Sequence, residues 1–300
     1  MARKQVKSVA GKVVAITGGA RGIGKATAQA LAAEGARVAI GDLDAELAEE
    51  TASGLGTEAI GLELDVTKRQ SFADYLAQVE ERLGPVDVII NNAGIMPLGD
   101  FVEEDDATAV RMIDINLHGV IYGMKLALPG MLRRNTGHIV NIASQAGKAG
   151  LPGGATYCAT KHAVVGLSEA VRAEVRETDI EVSCVMPAVV NTELGSGLVE
   201  SRGVKVSQPE DVATEIVRAL EYPKFDVFVP RGSGAVYQIA AVLPRRAREA
   251  MARVMKGDEV LANPDTGARA AYEARAARSE PGMEPEAVED AEDSVESKSA

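Results

Sequence analysis

Short apolar runs rich in Val and Ile recur along the chain at Val13–Thr17, Val38–Gly41, Ile60–Val66, Val86–Ile90, His138–Ala143, Glu181–Met186 and Asp226–Val229. The amphipathic stretches between them predict helices over 23–34, 44–54, 68–83, 104–134 with a break, 155–177, 209–221 and 244–256. Strands that alternate with helices imply parallel pairing through crossover connections. The runs Val-Val-Ala-Ile, Val-Asp-Val-Ile-Ile and His-Ile-Val-Asn-Ile lack the polar alternation of a one-sided sheet, so helices are expected on both faces. The pattern therefore predicts an α/β fold built on a doubly wound parallel sheet. From Gly267 onward the apolar periodicity fades into Ala, Arg and Glu. Residues 279–300 hold eight acids against one base, two prolines and no aromatic, which is the composition of a disordered acidic tail.

Composition sets the class. With 300 residues, 46% of them apolar and 25% charged, the chain can bury a sizeable core. Its 32 basic and 44 acidic residues give a net charge of -12, which argues against capture of a nucleic-acid backbone. Cys158 and Cys184 lie 26 residues apart in apolar segments, as reduced thiols rather than a disulfide framework. Arg3 and Lys4 are followed by Lys7, Gly11 and Lys12 before any signal-like apolar core develops, and no run approaches the roughly 18 apolar residues of a membrane span. A cytoplasmic protein is expected. His118, His138 and His162 are scattered and form no ligand pair, so no metal site is expected.

The segment Thr17-Gly18-Gly19-Ala20-Arg21-Gly22-Ile23-Gly24 places glycines between a predicted strand and the mouth of a predicted helix. There, backbone N–H groups can approach a pyrophosphate, and the helix N-terminus attracts its charge. The alternative is close packing of a helix on a sheet. Asp42 ends the second strand, 18 residues beyond Gly24, where a carboxylate can accept both ribose hydroxyls and repel a 2′-phosphate. That favours NAD over NADP. Arg21 pulls the other way, as a charge able to meet a 2′-phosphate. Asp42 can alternatively cap a helix, a role for which Asp44 competes.

Tyr157 and Lys161 stand four apart on a predicted helix and so share a face. An ammonium beside a phenol favours the phenolate, which is what proton exchange near neutral pH needs. By itself such a pair is commonplace on solvated helices. Ser144 lies 13 residues before Tyr157, just past the strand His138–Ala143, at the sheet edge where open α/β folds bind ligands. Its alternative role is a turn or cap.

Taken together, these motifs resemble the short-chain dehydrogenase/reductase family over roughly residues 10–230, in its single-domain oxidoreductase form. The resemblance implies a Rossmann-like, seven-stranded sheet with helices on both faces. It implies a cofactor site from Gly18, Arg21, Gly22, Ile23, Gly24, Asp42, Asp65, Val66, Asn92, Ala93, Gly94, Pro187, Val190 and Thr192, with Tyr157 and Lys161. It also implies a catalytic set of Asn116, Ser144, Tyr157 and Lys161, with Asn116 supporting a proton relay. Ala188 stands where the family carries glycine. The expected organisation is a Rossmann-like domain over 1–235 with a substrate lid at about 191–206, a helical extension over 236–278 and the tail.

The implied activity is NAD(P)-dependent interconversion of a secondary alcohol and a ketone. The lid's Leu194, Leu198, Val199 and Val204, with Met96, Leu98, Leu151 and Pro152 near the same mouth, favour an apolar, lipid-like or steroid-like substrate, although each can equally be ordinary packing. Over 242–256 an apolar stripe among Arg245, Arg246, Arg248 and Arg253 suits either packing on the lid or a second subunit, the favoured reading, or contact with a membrane surface. The family implies a homodimer or homotetramer. The rival function is a non-catalytic dinucleotide-binding regulator, which has no need of a complete Asn116, Ser144, Tyr157 and Lys161 set.

Overall fold

The computed structural model describes residues 6–56, 58–199, 205–277 and 279. Seven strands, β1 (Val13–Thr17), β2 (Arg37–Asp42), β3 (Ala59–Glu63), β4 (Val88–Asn91), β5 (Gly137–Ile142), β6 (Ile180–Pro187) and β7 (Asp226–Val229), form one parallel sheet in the order β3-β2-β1-β4-β5-β6-β7. The order reverses between β1 and β4, and a ligand crevice opens at the carboxyl ends of strands at such a switch point. Every residue of β1 is buried, because both faces of the sheet are covered.

One face carries α3 (Arg69–Leu83), α5 (Gly119–Arg134) and α6 (Ala155–Glu174) over a core that includes Phe72, Val79, Met131, Ile139 and Val164. The other carries α1 (Gly22–Ala33), α2 (Ala45–Ser53) and α7 (Pro209–Glu221) over Ile16, Leu31, Ile40, Val140 and Ile216. Burying each such aliphatic side chain is worth about 1.5–3 kcal/mol. Local signals set the helix starts. The Asp44 carboxylate accepts the Leu47 N–H at 3.1 Å, and α7 opens with Pro209 inside a reciprocal Gln208/Asp211 cap.

The break expected within 104–134 is a π-turn, Asp114–His118, between α4 (Asp106–Ile113) and α5. The third strand is shorter than the run 60–66 suggests, because Asp65 leaves the ladder to accept the Thr67 N–H and hydroxyl at 3.0 and 2.6 Å, which turns the chain toward α3.

After β7 come α8 (Ser233–Val242), α9 (Arg245–Val254) and α10 (Thr266–Ala276). Of these, only α9 is foreshadowed by the apolar pattern. No residue of α9 is fully buried within this chain. By contrast Val260, Leu261, Tyr272 and Ala276 belong to the main core. Of the expected acidic tail, residues 280–300 lie outside the described residues. Among the described residues no helix is long and apolar enough to cross a membrane.

Candidate active site

A cleft of about 1290 Å³ runs along the switch point and continues under the segment that follows β6. Its floor is the glycine loop. Gly18 sits at φ +61, and a Cβ there would lie 2.9 Å from the Ala93 Cα; at Gly24 it would lie 2.2 Å from the Gly18 carbonyl oxygen. The glycines therefore let the loop fold tightly on itself against the end of β4. Asn92 fastens that junction: its Nδ2 donates to the carbonyls of Thr17 and Gly18 at 3.0 and 2.8 Å, and its own N–H reaches the Thr17 hydroxyl at 3.0 Å. The resulting glycine-lined cradle above the α1 N-terminus fits a pyrophosphate.

Asp42 is placed beside the loop, with its carboxylate accepting the Ala20 N–H at 3.1 Å and the Asp44 N–H at 3.3 Å. Burial raises its pKa, and those two backbone bonds oppose the rise. Arg21 forms an ion pair with Asp44, the residue that also caps α2. Of the expected cofactor residues, Gly18, Arg21, Gly22, Ile23, Asp42, Asp65, Val66, Asn92, Ala93, Gly94, Pro187, Val190 and Thr192 all line this cleft, while Gly24 lies beneath the loop. The methyl of Ala188 costs no backbone strain. Ala188 is absent from the positive-φ residues, and its N–H donates to the Val229 carbonyl at 2.8 Å.

Ser144, Tyr157 and Lys161 line the same cleft. The Ser144 Oγ accepts the Ala146 N–H at 3.1 Å, so the hydroxyl also caps the short turn that holds it at the end of β5. Tyr157 is 6% exposed. Burial pushes its phenol up to about 12, with the Ser144 hydroxyl partly opposing that rise. Lys161 is 4% exposed, donates from Nζ to the Ile142 carbonyl at 3.0 Å and stands 5.7 Å from the centre of the Tyr157 ring. Burial lowers its pKa to about 8. Desolvation thus dominates both groups, and the acidic phenol that the spacing suggests is not what this pair produces unaided.

Asn116 sits behind the cleft, fully buried in the π-turn. Its Oδ1 accepts the Ile95 N–H at 2.8 Å, and its Nδ2 donates to the Ile95 carbonyl at 2.8 Å and the Thr160 hydroxyl at 3.2 Å. The amide is spent on positioning the loop after β4, and π-turns concentrate where a backbone must be re-aimed at a site.

The substrate end of the cleft is more apolar than polar. Met96, Leu151, Leu194 and Leu198 line it as expected, whereas Leu98 and Pro152 do not, Leu98 packing into the core instead. Val199 is half-buried off the cleft, and Val204 lies outside the described residues. The structure adds Val236, Tyr237, Val260, Leu261 and Tyr272, none of which the sequence pattern marked. Their only signal is a hydrophobic residue inside weakly periodic sequence.

Among the described residues no cluster of His, Cys, Asp and Glu is arranged to hold a metal. His138 is a core residue against the Ser183 hydroxyl at 2.9 Å, kept neutral by burial that lowers its pKa to about 3. Both cysteines are free and buried, and burial raises the Cys158 thiol, which leaves it a poor nucleophile.

A doubly wound parallel sheet with this loop at its switch point, and a Ser-Tyr-Lys group across the cleft, is the framework of a dinucleotide-dependent oxidoreductase. The short chain dehydrogenase family matches residues 12–203, and the chain belongs to it. Rat 17-beta-hydroxysteroid dehydrogenase 13 is 32% identical over 254 residues, covering 83% of this chain and 84% of that protein. The 2-(S)-hydroxypropyl-CoM dehydrogenase 3 of Xanthobacter autotrophicus is 37% identical over 224 residues, 69% of this chain and 88% of its own. A short chain dehydrogenase/reductase from Burkholderia phymatum, solved in complex with NAD, superposes with a TM-score of 0.72 at 27% identity, covering 78% of this chain and 94% of that one. The chain is thus an oxidoreductase of the short-chain dehydrogenase family, and the comparisons support a nicotinamide dinucleotide as its cofactor.

Proposed function

We propose that the protein oxidises an apolar secondary alcohol, or reduces the matching ketone, with NAD. The observation that carries this reading is the convergence of Ser144, the Tyr157 phenol and the Lys161 ammonium at one end of a cleft whose other end is the glycine cradle and Asp42. The bound nicotinamide would supply the hydride acceptor or donor. Ser144 holds the substrate oxygen, Tyr157 takes or returns the hydroxyl proton, and Lys161 lends positive charge to the phenolate. Asn116 holds the loop that carries Ile95 against this group. The test is nicotinamide absorbance change with a panel of apolar secondary alcohols, ketones and sugar alcohols. Turnover confined to sugar alcohols would overturn the substrate assignment, and none at all with bound cofactor would favour the regulatory alternative.

Preference for NAD is supported by the Asp42 carboxylate beside the glycine loop, where it can accept from ribose hydroxyls, and by Asp44, which pairs with Arg21. A 2′-phosphate brought against Asp42 meets like charge. Asp42→Asn keeps an acceptor for the Ala20 N–H while removing the charge. It is expected to lower the ratio of kcat/KM for NAD over NADP by about tenfold or more. Steady-state kinetics with both cofactors check this.

A membrane-surface contact through 242–256 belongs to the same reading. Ile239, Val242 and Val254 are 58%, 82% and 72% exposed, α9 carries Arg245, Arg246, Arg248 and Arg253, and Arg245 and Arg248 line the cleft. Flotation with anionic vesicles, lost on Arg246→Glu with Arg253→Glu, supports it; equal recovery with neutral vesicles or none refutes it. Assembly as a homodimer or homotetramer is carried over from the resemblance and is read by sedimentation.

A further inference from the structure

The two banks of the substrate cleft are the loop after β4, with Met96, and the lid that begins at Asn191. At Met96, Leu194 and Ser196, α10 supplies partners for their backbone groups. Arg269, only 1% exposed, donates from Nη2 to the Met96 carbonyl at 2.7 Å and from Nη1 to the carbonyls of Leu194 and Ser196 at 2.9 and 3.0 Å. Its Nε pairs with Glu273 at 2.9 Å, which meets the requirement that a buried guanidinium be paired. Three residues on, the Tyr272 hydroxyl accepts the Met96 N–H at 2.6 Å, and its ring centre lies 4.9 Å from the Arg269 guanidinium. Both backbone groups of Met96 are therefore satisfied by α10, the N–H by the Tyr272 hydroxyl and the carbonyl by the Arg269 guanidinium, whose planar fork of donors reaches two loops at once.

The neighbouring contacts run the same way. The Asp265 N–H donates to the Gly197 carbonyl at 2.9 Å, and the Ser196 hydroxyl to the Ala268 carbonyl at 2.9 Å. Gly197 sits at φ +70, and a Cβ there would lie 2.6 Å from the Asp265 carbonyl oxygen. In the loop before α6, a Cβ at Gly153 would lie 2.4 Å from the Leu261 carbonyl oxygen. The chain over 261–272 thus presses onto the lid and onto both loops that flank Tyr157.

We propose that this segment is the selectivity wall of the cleft. Arg269 clamps the lid to the loop after β4 as a positioning residue, and Tyr272 and Leu261, which line the cleft, set how long an apolar substrate body fits. The proposal rests on the reading of the site as that of an apolar-alcohol dehydrogenase. Tyr272 and Leu261 are nearly fully buried where they line the cleft, so the Tyr272 ring fills space that a longer apolar body would need. Tyr272 keeps its proton, because burial pushes its phenol well up, and so it lines the cleft as a neutral side chain.

The test uses the full chain with NAD and a series of straight-chain 2-alkanols. Tyr272→Ala is expected to move the optimum to longer alkanols and to raise kcat/KM for the longest relative to the shortest by about tenfold, since each added methylene is worth a fewfold or more in an apolar pocket. Hydrogen exchange reads the clamp without any substrate. Arg269→Met is expected to speed exchange of the amides over 94–98 and 194–198 by about tenfold or more, with Arg269→Lys recovering only part of the protection. If Arg269→Met does not fold, Tyr272→Phe removes only the acceptor of the Met96 N–H and is expected to speed exchange at that amide. A Tyr272→Ala variant with the wild-type chain-length profile, or an Arg269→Met variant with wild-type exchange, overturns the proposal. Wild-type protein that binds NAD and oxidises no alkanol while the exchange effects hold would instead count against the dehydrogenase reading and in favour of the clamp.

Discussion

Tyr157→Phe is expected to lower kcat by about 10³-fold, within the range for loss of a positioned acid–base group, while the dissociation constant for NADH stays within about threefold. The ring stays and only the hydroxyl goes, so the packing of a side chain that is 6% exposed is preserved. The wild-type pH dependence gives the reason a sign. Burial pushes the phenol up to about 12, so the free protein holds this proton at neutral pH and is poised to give it to a forming alkoxide. Alcohol oxidation needs the reverse, and its rate is expected to climb with pH in the alkaline direction. Lys161, with its pKa lowered to about 8, is fully charged below that value and loses its charge above it, so the climb is expected to bend over there as support for the phenolate disappears. In the Phe variant both slopes vanish. Stopped-flow and steady-state rates in each direction across neutral and mildly alkaline pH measure this, and a variant that keeps a tenth of wild-type turnover removes Tyr157 from the chemistry.

The sheet was legible because its central strands are buried on both faces and so are written in the sequence as short Val- and Ile-rich runs without regular polar alternation, as in β1 and β5, whereas the edge strands β3 and β7 are only partly buried. The nucleotide end of the cleft was legible for a related reason. A tight turn admits only glycine, and Gly18 at φ +61 stands against Ala93 where a side chain has no room. The substrate end was not. The buried positions of α10 are Arg269, Tyr272 and Ala276, a true helical spacing occupied by an arginine, a tyrosine and an alanine. A search for apolar periodicity passes over such a face, because the arginine is buried by hydrogen bonds to carbonyls from distant segments and not by its own hydropathy. Asn116 shows a similar limit. The motif places it near the site, and only the coordinates reveal that both ends of its amide are committed to Ile95.

Gly24→Ala is expected to weaken NADH binding by about 10- to 100-fold, equivalent to the 1–3 kcal/mol typical of an extra methyl in a filled space. The methyl has nowhere to go. It would lie 2.2 Å from the Gly18 carbonyl oxygen and 2.8 Å from the Gly19 Cα, both in the loop itself, and 2.7 Å from the Nδ2 of Asn92, which fastens the loop to the end of β4. Relief requires Gly18 to move, and Gly18 is held by the Asn92 amide at 2.8 Å, which is bonded in turn to Thr17. The strain therefore passes to the N–H groups that face the cofactor, and not to a surface side chain able to swing aside. Gly166→Ala is the matched control: Gly166 lies in α6 with nothing within 4 Å of a Cβ, so alanine there is expected to raise stability by about 0.5–1 kcal/mol and leave binding unchanged. Fluorescence titration with NADH and thermal melts of both variants separate a lost cradle from a lost fold. Unchanged affinity in a folded Gly24→Ala protein would mean that the pyrophosphate does not lie on this loop, and the cofactor assignment would have to move elsewhere in the cleft.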